Sequence, residues 1–119
     1  MSRSRRSPES LLPLPLATFH ILMSLAEEER HGYAVIQDVA ARTEGELRLS
    51  AGTLYRSIQR MQAQGLIEEV LRRPAAGDDE RRRYYRVTPF GKRVGRAEAE
   101  RLWKLVQLAQ SSRVAWENA

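Results

Sequence analysis

The sequence predicts a mainly α domain with a small β wing and a long C-terminal helix, and three observations predict it. Apolar residues recur at helical spacing in four separate blocks. Between the third and fourth blocks, two runs with β character flank Pro74-Ala75-Ala76-Gly77-Asp78-Asp79, a turn by composition. The length, 119 residues, suits one domain with a modest core and no more.

The first helix is expected from about Pro15 to Glu28, with Leu16, Phe19, Leu22 and Leu25 inward. Proline suits its first turn, where a missing amide costs nothing. Glu27 to Arg30 reads as a polar break. A second helix, about His31 to Thr43, is expected to bury Tyr33, Ile36, Val39 and Ala40, with Gly45 ending the segment. Glu46-Leu47-Arg48-Leu49 alternates like a short strand leading into Ser50.

The third helix carries the most information. Leu54, Ile58 and Met61 recur at i, i+4 and i+7, while Thr53, Arg56, Ser57 and Arg60 share the other side. Ser50 is a good N-cap, since its hydroxyl accepts from the free amides of the first turn. Gly65 supplies the left-handed residue that ends a helix, and Leu66 then packs back. Ile67 to Arg72 reads as a strand. Arg82 to Thr88 returns as its partner, with Tyr85 and Val87 on one side and Tyr84 and Arg86 on the other. Thr88-Pro89 caps and starts a long helix to about Arg113.

That order is the order of a winged helix-turn-helix, in which the third helix enters the major groove and the 67–88 hairpin is the wing. Residues 1–14 are expected to be a flexible basic arm, 15–88 the DNA-binding domain, 89–113 a dimerisation helix and 114–119 a frayed end.

Charge supports a polyanion partner. The net charge is +5, yet residues 50–96 hold eleven basic and five acidic side chains, while 11–49 hold three basic and six acidic. A basic excess confined to one region is the footprint of nucleic acid. Arg72, Arg73, Arg81, Arg82, Arg83 and Arg86 flank the wing tip, and like charges across a ladder do not help a hairpin fold. Arginine suits phosphate and a narrow minor groove. Arg3, Arg5 and Arg6 offer a further minor-groove arm.

Other chemistries find little footing. With no cysteine there is neither a disulfide framework nor a thiol nucleophile, which suits a reducing cytoplasm. Two prolines interrupt the apolar run from Leu11 to Leu16, and no small-residue cleavage site follows, so it is not read as a signal peptide. No eighteen-residue apolar stretch would span a membrane. His20 and His31 lack companions at metal-ligand spacing, and no phosphate loop or activated nucleophile points to an enzyme. No cofactor is expected.

His31-Gly32-Tyr33, the segment Ser50 to Tyr55 with its Gly52-Thr53-Leu54-Tyr55 core, Gly65-Leu66-Ile67, and Arg83-Tyr84-Tyr85-Arg86-Val87-Thr88 with Gly91 together resemble the phenolic-acid-decarboxylase-regulator (PadR) family, over about residues 15–95. The chain departs from it at Arg56-Ser57, where many members carry Pro-Ala, which bears on the operator read. It resembles the short single-domain subgroup. The resemblance implies a prokaryotic transcriptional regulator, usually a repressor, that binds operators as a homodimer.

On this reading Thr53, Arg56, Ser57 and Arg60 face base edges or their phosphates, Ser50 and Tyr55 anchor the backbone, and Arg81, Arg82 and Arg83 clamp the adjacent groove. The last helix carries Val94, Ala97, Leu102, Leu105, Val106, Leu108 and Ala109, a stripe too wide for one small domain to cover. Leu16 and Phe19 with Leu102, Leu105, Val106 and Ala109 form the expected dimer interface, on a pseudo-palindromic site. Trp103 invites a planar hydrophobic effector, since some similar regulators stack such molecules on this helix; plain interface packing is the preferred alternative. A dimeric protein-interaction module with vestigial DNA binding and an RNA-binding winged domain are the competing readings. RNA reading usually stacks bases on exposed aromatics.

Overall fold

The computed structural model describes residues 6–71, 82–112 and 116–117. The expected turn at 74–79 and the arginines Arg3, Arg5, Arg72, Arg73 and Arg81 lie outside the described residues. The elements run α1 (Leu16–Glu27), β1 (Arg30–His31), α2 (Gly32–Arg42), α3 (Ala51–Ala63), β2 (Ile67–Val70), β3 (Tyr84–Val87) and α4 (Pro89–Ser111), after a short 3-10 turn at Pro8–Leu11. The fold is the expected winged helix, four helices with a small antiparallel sheet.

Among the described residues the sheet has three strands in the order β1-β3-β2. Glu68 faces Arg86 and Glu69 faces Tyr85 across the wing ladder. Arg30 faces Tyr85 on the other edge. The expected strand at 46–49 is absent; that segment is irregular, and Leu49 is buried without a strand partner. The polar break supplies β1 instead. Arg30 is fixed there by Ser24 O at 3.1 Å and the Glu27 carboxylate at 2.8 Å. Glu27 also pairs with Arg42 and Glu29 with Arg86, so the acidic corner holds α1, α2 and the wing together.

Ile21, Leu22, Leu25, Val35, Val39, Leu54, Ile58, Met61, Leu66 and Val94 make the centre of the core. Two helical phases differ from expectation. In α1 the inward face is Thr18, Ile21, Leu22 and Leu25, and Leu16 stands 67 % exposed. In α2 it is Val35 and Val39, and Tyr33 is 57 % exposed. Periodicity alone permits either neighbouring phase, and only the packing of the whole domain selects one.

The wing and α4 meet at one carbonyl. Thr88 donates its backbone N–H to Leu66 O at 3.0 Å, and its hydroxyl donates to Gly65 O at 2.5 Å. The same hydroxyl oxygen accepts from Gly91 N at 2.9 Å, capping α4 as expected. A Cβ at Gly91 would overlap Leu66 O and lie 2.9 Å from Val87 Cγ1. Only glycine lets α4 start this close to the end of α3.

Residues 8–14, placed by sequence in a flexible arm, pack along α4. Leu14 is buried, and its N–H donates to Glu98 Oε2 at 3.0 Å. Glu98 is itself 2 % exposed and accepts from Arg101 Nε at 2.6 Å. The hydrogen bond from Arg101, then that from the Leu14 amide and the Arg101 charge, hold its carboxyl below the usual range against the opposing effect of burial. A group so depressed stabilises the fold above its unfolded-state value near 4.5 and ceases to do so as pH falls through its folded value. Glu98→Ala is expected to lower unfolding free energy by about 1–3 kcal/mol in urea titrations at neutral pH, because the Leu14 amide loses its partner. The difference from wild type should shrink progressively as the pH falls below 4.5. Gly91→Ala should destabilise by about 1–3 kcal/mol or prevent folding, read from the same titrations.

Candidate nucleic-acid interface

α3 is capped at both ends as its sequence dictates. Ser50 Oγ accepts from Thr53 N at 3.1 Å and lies 3.1 Å from Thr53 Oγ1, so these hydroxyls serve the cap. At the other end Gly65 takes φ +78°. Leu66 N donates to Met61 O at 2.9 Å and Gly65 N to Gln62 O at 3.0 Å, the paired bonds of a Schellman ending. Arg6 adds a hydrogen bond to Gln64 O, and its guanidinium lies 4.9 Å from the Phe90 ring centre. The one described arginine of the N-terminal arm is thus tied to the C-terminal end of α3.

Leu54, Ile58 and Met61 are buried, as expected, and this fixes what the other positions face. At about 100° per residue the side opposite the core is Gly52, Arg56, Gln59 and Ala63, with Arg60 beside it. All five are exposed. Among the described residues neither Arg56 nor Arg60 has an ion-pair partner. Thr53 and Ser57 are half-buried on the flank toward α1. Tyr55 occupies the opposite flank, toward the wing. Gln59 was missed, although its spacing from Arg56 would have placed it on the outer face.

Two cavities border this face. On the wing side, a cavity of about 310 Å³ is lined by His31, Tyr33, Tyr55, Arg82, Arg83 and Tyr85. His31 caps α2 there, its Nδ1 accepting from Ala34 N at 3.2 Å. Arg82 Nη1 lies 3.1 Å from His31 Nε2. Tyr33 joins this site although the sequence assigned it to the core; beside Gly32, a tyrosine leading α2 was its only signal. On the α1 side, a second cavity of about 220 Å³ lies between α1 and the Thr53, Arg56, Ser57, Arg60 flank of α3.

The wing is less purely cationic than its sequence suggested. Arg86 pairs with Glu68 at 2.8 Å and Glu29 at 3.9 Å, and Arg83 reaches Glu69 at 3.5 Å. Arg82 and Arg83 are exposed beside the cavity.

The apolar stripe of α4 divides in two. Val94 is buried, while Leu105, Val106, Leu108 and Ala109 are exposed, as is Trp103. Leu102 and Phe19 are half-buried. Trp116 donates from Nε1 to Ala109 O at 2.7 Å. Among the described residues no helix is long and apolar enough to cross a membrane, and no cluster of acidic and histidine side chains could hold a metal.

A capped helix with an exposed cationic face, supported by a second helix and bordered by a hairpin, defines a winged-helix DNA-binding fold. The chain belongs to the PadR-like family of transcriptional regulators, matching it over residues 21–97. It is 37 % identical over 73 residues to transcriptional regulator Rv3488 of Mycobacterium tuberculosis, covering 61 % of this chain and 63 % of that protein. Against Uncharacterized protein X of Lysinibacillus sphaericus it is 33 % identical over 72 residues, 60 % of this chain and 64 % of the other. The matches thus span just under two thirds of these relatives. Among solved structures, a transcriptional regulator from Clostridium thermocellum superposes with a TM-score of 0.66 at 26 % identity, covering 80 % of this chain and 86 % of the other. A PadR family regulator from Eggerthella lenta gives 0.61 at 26 %, covering 90 % and 84 %.

The His31-Gly32-Tyr33 and Gly52-Thr53-Leu54-Tyr55 segments meet in space. A Cβ at Gly32 would overlap Tyr55 Oη, lie 2.9 Å from Tyr55 Cζ and 3.1 Å from Leu54 Cδ2. Gly32→Ala should therefore displace Tyr55 and cost about 1–3 kcal/mol in thermal or urea unfolding. That cost should fall in the Tyr55→Ala background, a coupling measurable by double-mutant cycle.

Proposed function

We propose that this chain is a DNA-binding repressor acting as a homodimer on a pseudo-palindromic operator. α3 would lie in the major groove and the wing would follow the adjacent backbone. The observation that carries the reading is the outer face of α3. Arg56, Gln59 and Arg60 stand exposed on a helix capped at both ends, and neither arginine is neutralised by a carboxylate among the described residues. A protein-interaction module would have no use for such a row. The role is binding, with specificity read by arginine forks and amides on base edges. Repression is the usual action of the family that the sequence resembles.

Dimerisation rests on α4. The radius of gyration, 16.9 Å, exceeds the roughly 13.5 Å expected for a compact chain of this length. An apolar groove of about 350 Å³ between α1 and α4, lined by Phe19, Leu22, Met23, Ala26, Gly95 and Ala99, offers a seat for the partner's helix. A two-fold arrangement would cover the exposed stripe and set two recognition helices about one DNA turn apart. Trp103 would be covered by the partner; quenching by planar aromatics, lost in Trp103→Phe and accompanied by DNA release, would assign it an effector instead.

Sedimentation at micromolar concentration should give a dimer, and Leu105→Asp with Leu108→Asp should give a monomer with weakened DNA binding. A wild-type monomer would contradict the assembly. In anisotropy titrations, Arg56→Ala is expected to cost ~1–3 kcal/mol and relax preference at one base position. Arg82→Ala should weaken all duplexes alike and reduce the salt slope by about one. Uniform loss in the Arg56 variant would remove it from base reading.

A further inference from the structure

We infer that the cavity between the N-terminus of α1 and the flank of α3 is a seat for one DNA backbone phosphate, distinct from the wing-side contacts; the inference rests on the DNA-binding reading above. α1 has twelve residues, and its N-cap is Pro15, which offers no side-chain acceptor. The amides of Leu16, Ala17 and Thr18 therefore have no capping partner, whereas α2, α3 and α4 are capped by His31, Ser50 and Thr88. Unfilled amides at a helix start attract an anion.

A second, independent observation points to a ligand. Thr18 is only 5 % exposed, and its hydroxyl makes no hydrogen bond among the described residues, yet it lines this cavity. Its oxygen is not sealed off from the cavity, so it stays open to a partner that arrives from outside. Thr53, Arg56, Ser57 and Arg60 of α3 line the same cavity, the Thr53 hydroxyl being held by Ser50 in the cap. Hydroxyls, helix-start amides and guanidinium groups lining one hollow are the donors that a phosphodiester takes.

Position decides which anion fits. The cavity borders the outer face of α3 on the side away from the wing. A helix in a major groove about 12 Å wide meets phosphates of one strand on each flank. With the His31–Arg82 cavity serving one strand, the α1 cavity serves the other. Ser57, Thr53 and Arg60 then act on the backbone, and base reading narrows to Arg56 and Gln59.

The test uses the full chain and a duplex that it binds, with a neutral methylphosphonate placed at each backbone position in turn. Ser57→Ala and Thr18→Val should each weaken binding about tenfold, equally for preferred and unrelated duplexes. One methylphosphonate per half-site should weaken wild type similarly, and on that duplex Ser57→Ala should lose nothing more. Ser57→Ala, at a half-buried position, keeps the test valid if Thr18→Val perturbs the core; circular dichroism melts separate the two causes. Wild-type affinity in the Ser57 variant, loss that depends on base identity, or no methylphosphonate position that absorbs the loss would overturn the seat while leaving DNA binding intact. Protection by inorganic phosphate without any methylphosphonate effect would assign the cavity to a free anion and also overturn it. Failure of wild type to bind any duplex would instead remove the DNA-binding reading, and the seat with it.

Discussion

The carbonyl of Leu66 is the point on which the rest of this structure depends. It receives the Thr88 amide as the wing returns, and it faces Gly91 where α4 begins. One residue earlier, Gly65 ends α3 in the left-handed region and passes its own carbonyl to the Thr88 hydroxyl. The end of the recognition helix, the base of the wing and the start of the long helix are therefore fixed to one another within a single turn. Any relative movement of α3 and α4 would break several hydrogen bonds at once. A partner that gripped α4 would consequently hold α3 at a defined angle.

That constraint explains how few residues are needed for the proposed work. Burial of Leu54, Ile58 and Met61 sets the rotation of α3, and its caps set its length. What remains outside is a short cationic row between two hollows. The same economy appears at Gly32, whose missing side chain lets Tyr55 lie across the start of α2. Ion pairs at Glu27, Arg30 and Arg42 close another corner, with Glu27 facing solvent and the two arginine side chains largely covered.

Local signals were legible in the sequence because local physics sets them. Ser50, Gly65 and Thr88 act at the positions where capping chemistry places them, and Tyr85 and Val87 turn inward from the wing. Tertiary facts were harder to read. Arg30–His31 becomes a strand only because Tyr84 and Tyr85 lie beside it. Leu47 and Leu49 alternate like a strand but meet no ladder. Nothing in the local sequence marks Glu98 as buried, because its place depends on the Leu14 amide arriving from 84 positions away. Leu16 and Tyr33 lie outside although apolar, and Ile21 and Val35 fill the core in their place. Of the site, the arginine row was readable from spacing; Thr18 and Tyr33 were not, because only the assembled fold brings them beside α3.

The most direct test of the account is selection of bound duplexes from a random DNA pool at near-physiological salt. An enriched inverted repeat with half-sites about one turn apart is the predicted result. Saturable binding without enrichment would leave only the sequence-independent electrostatic attraction, and would contradict the claim that the outer face of α3 reads bases.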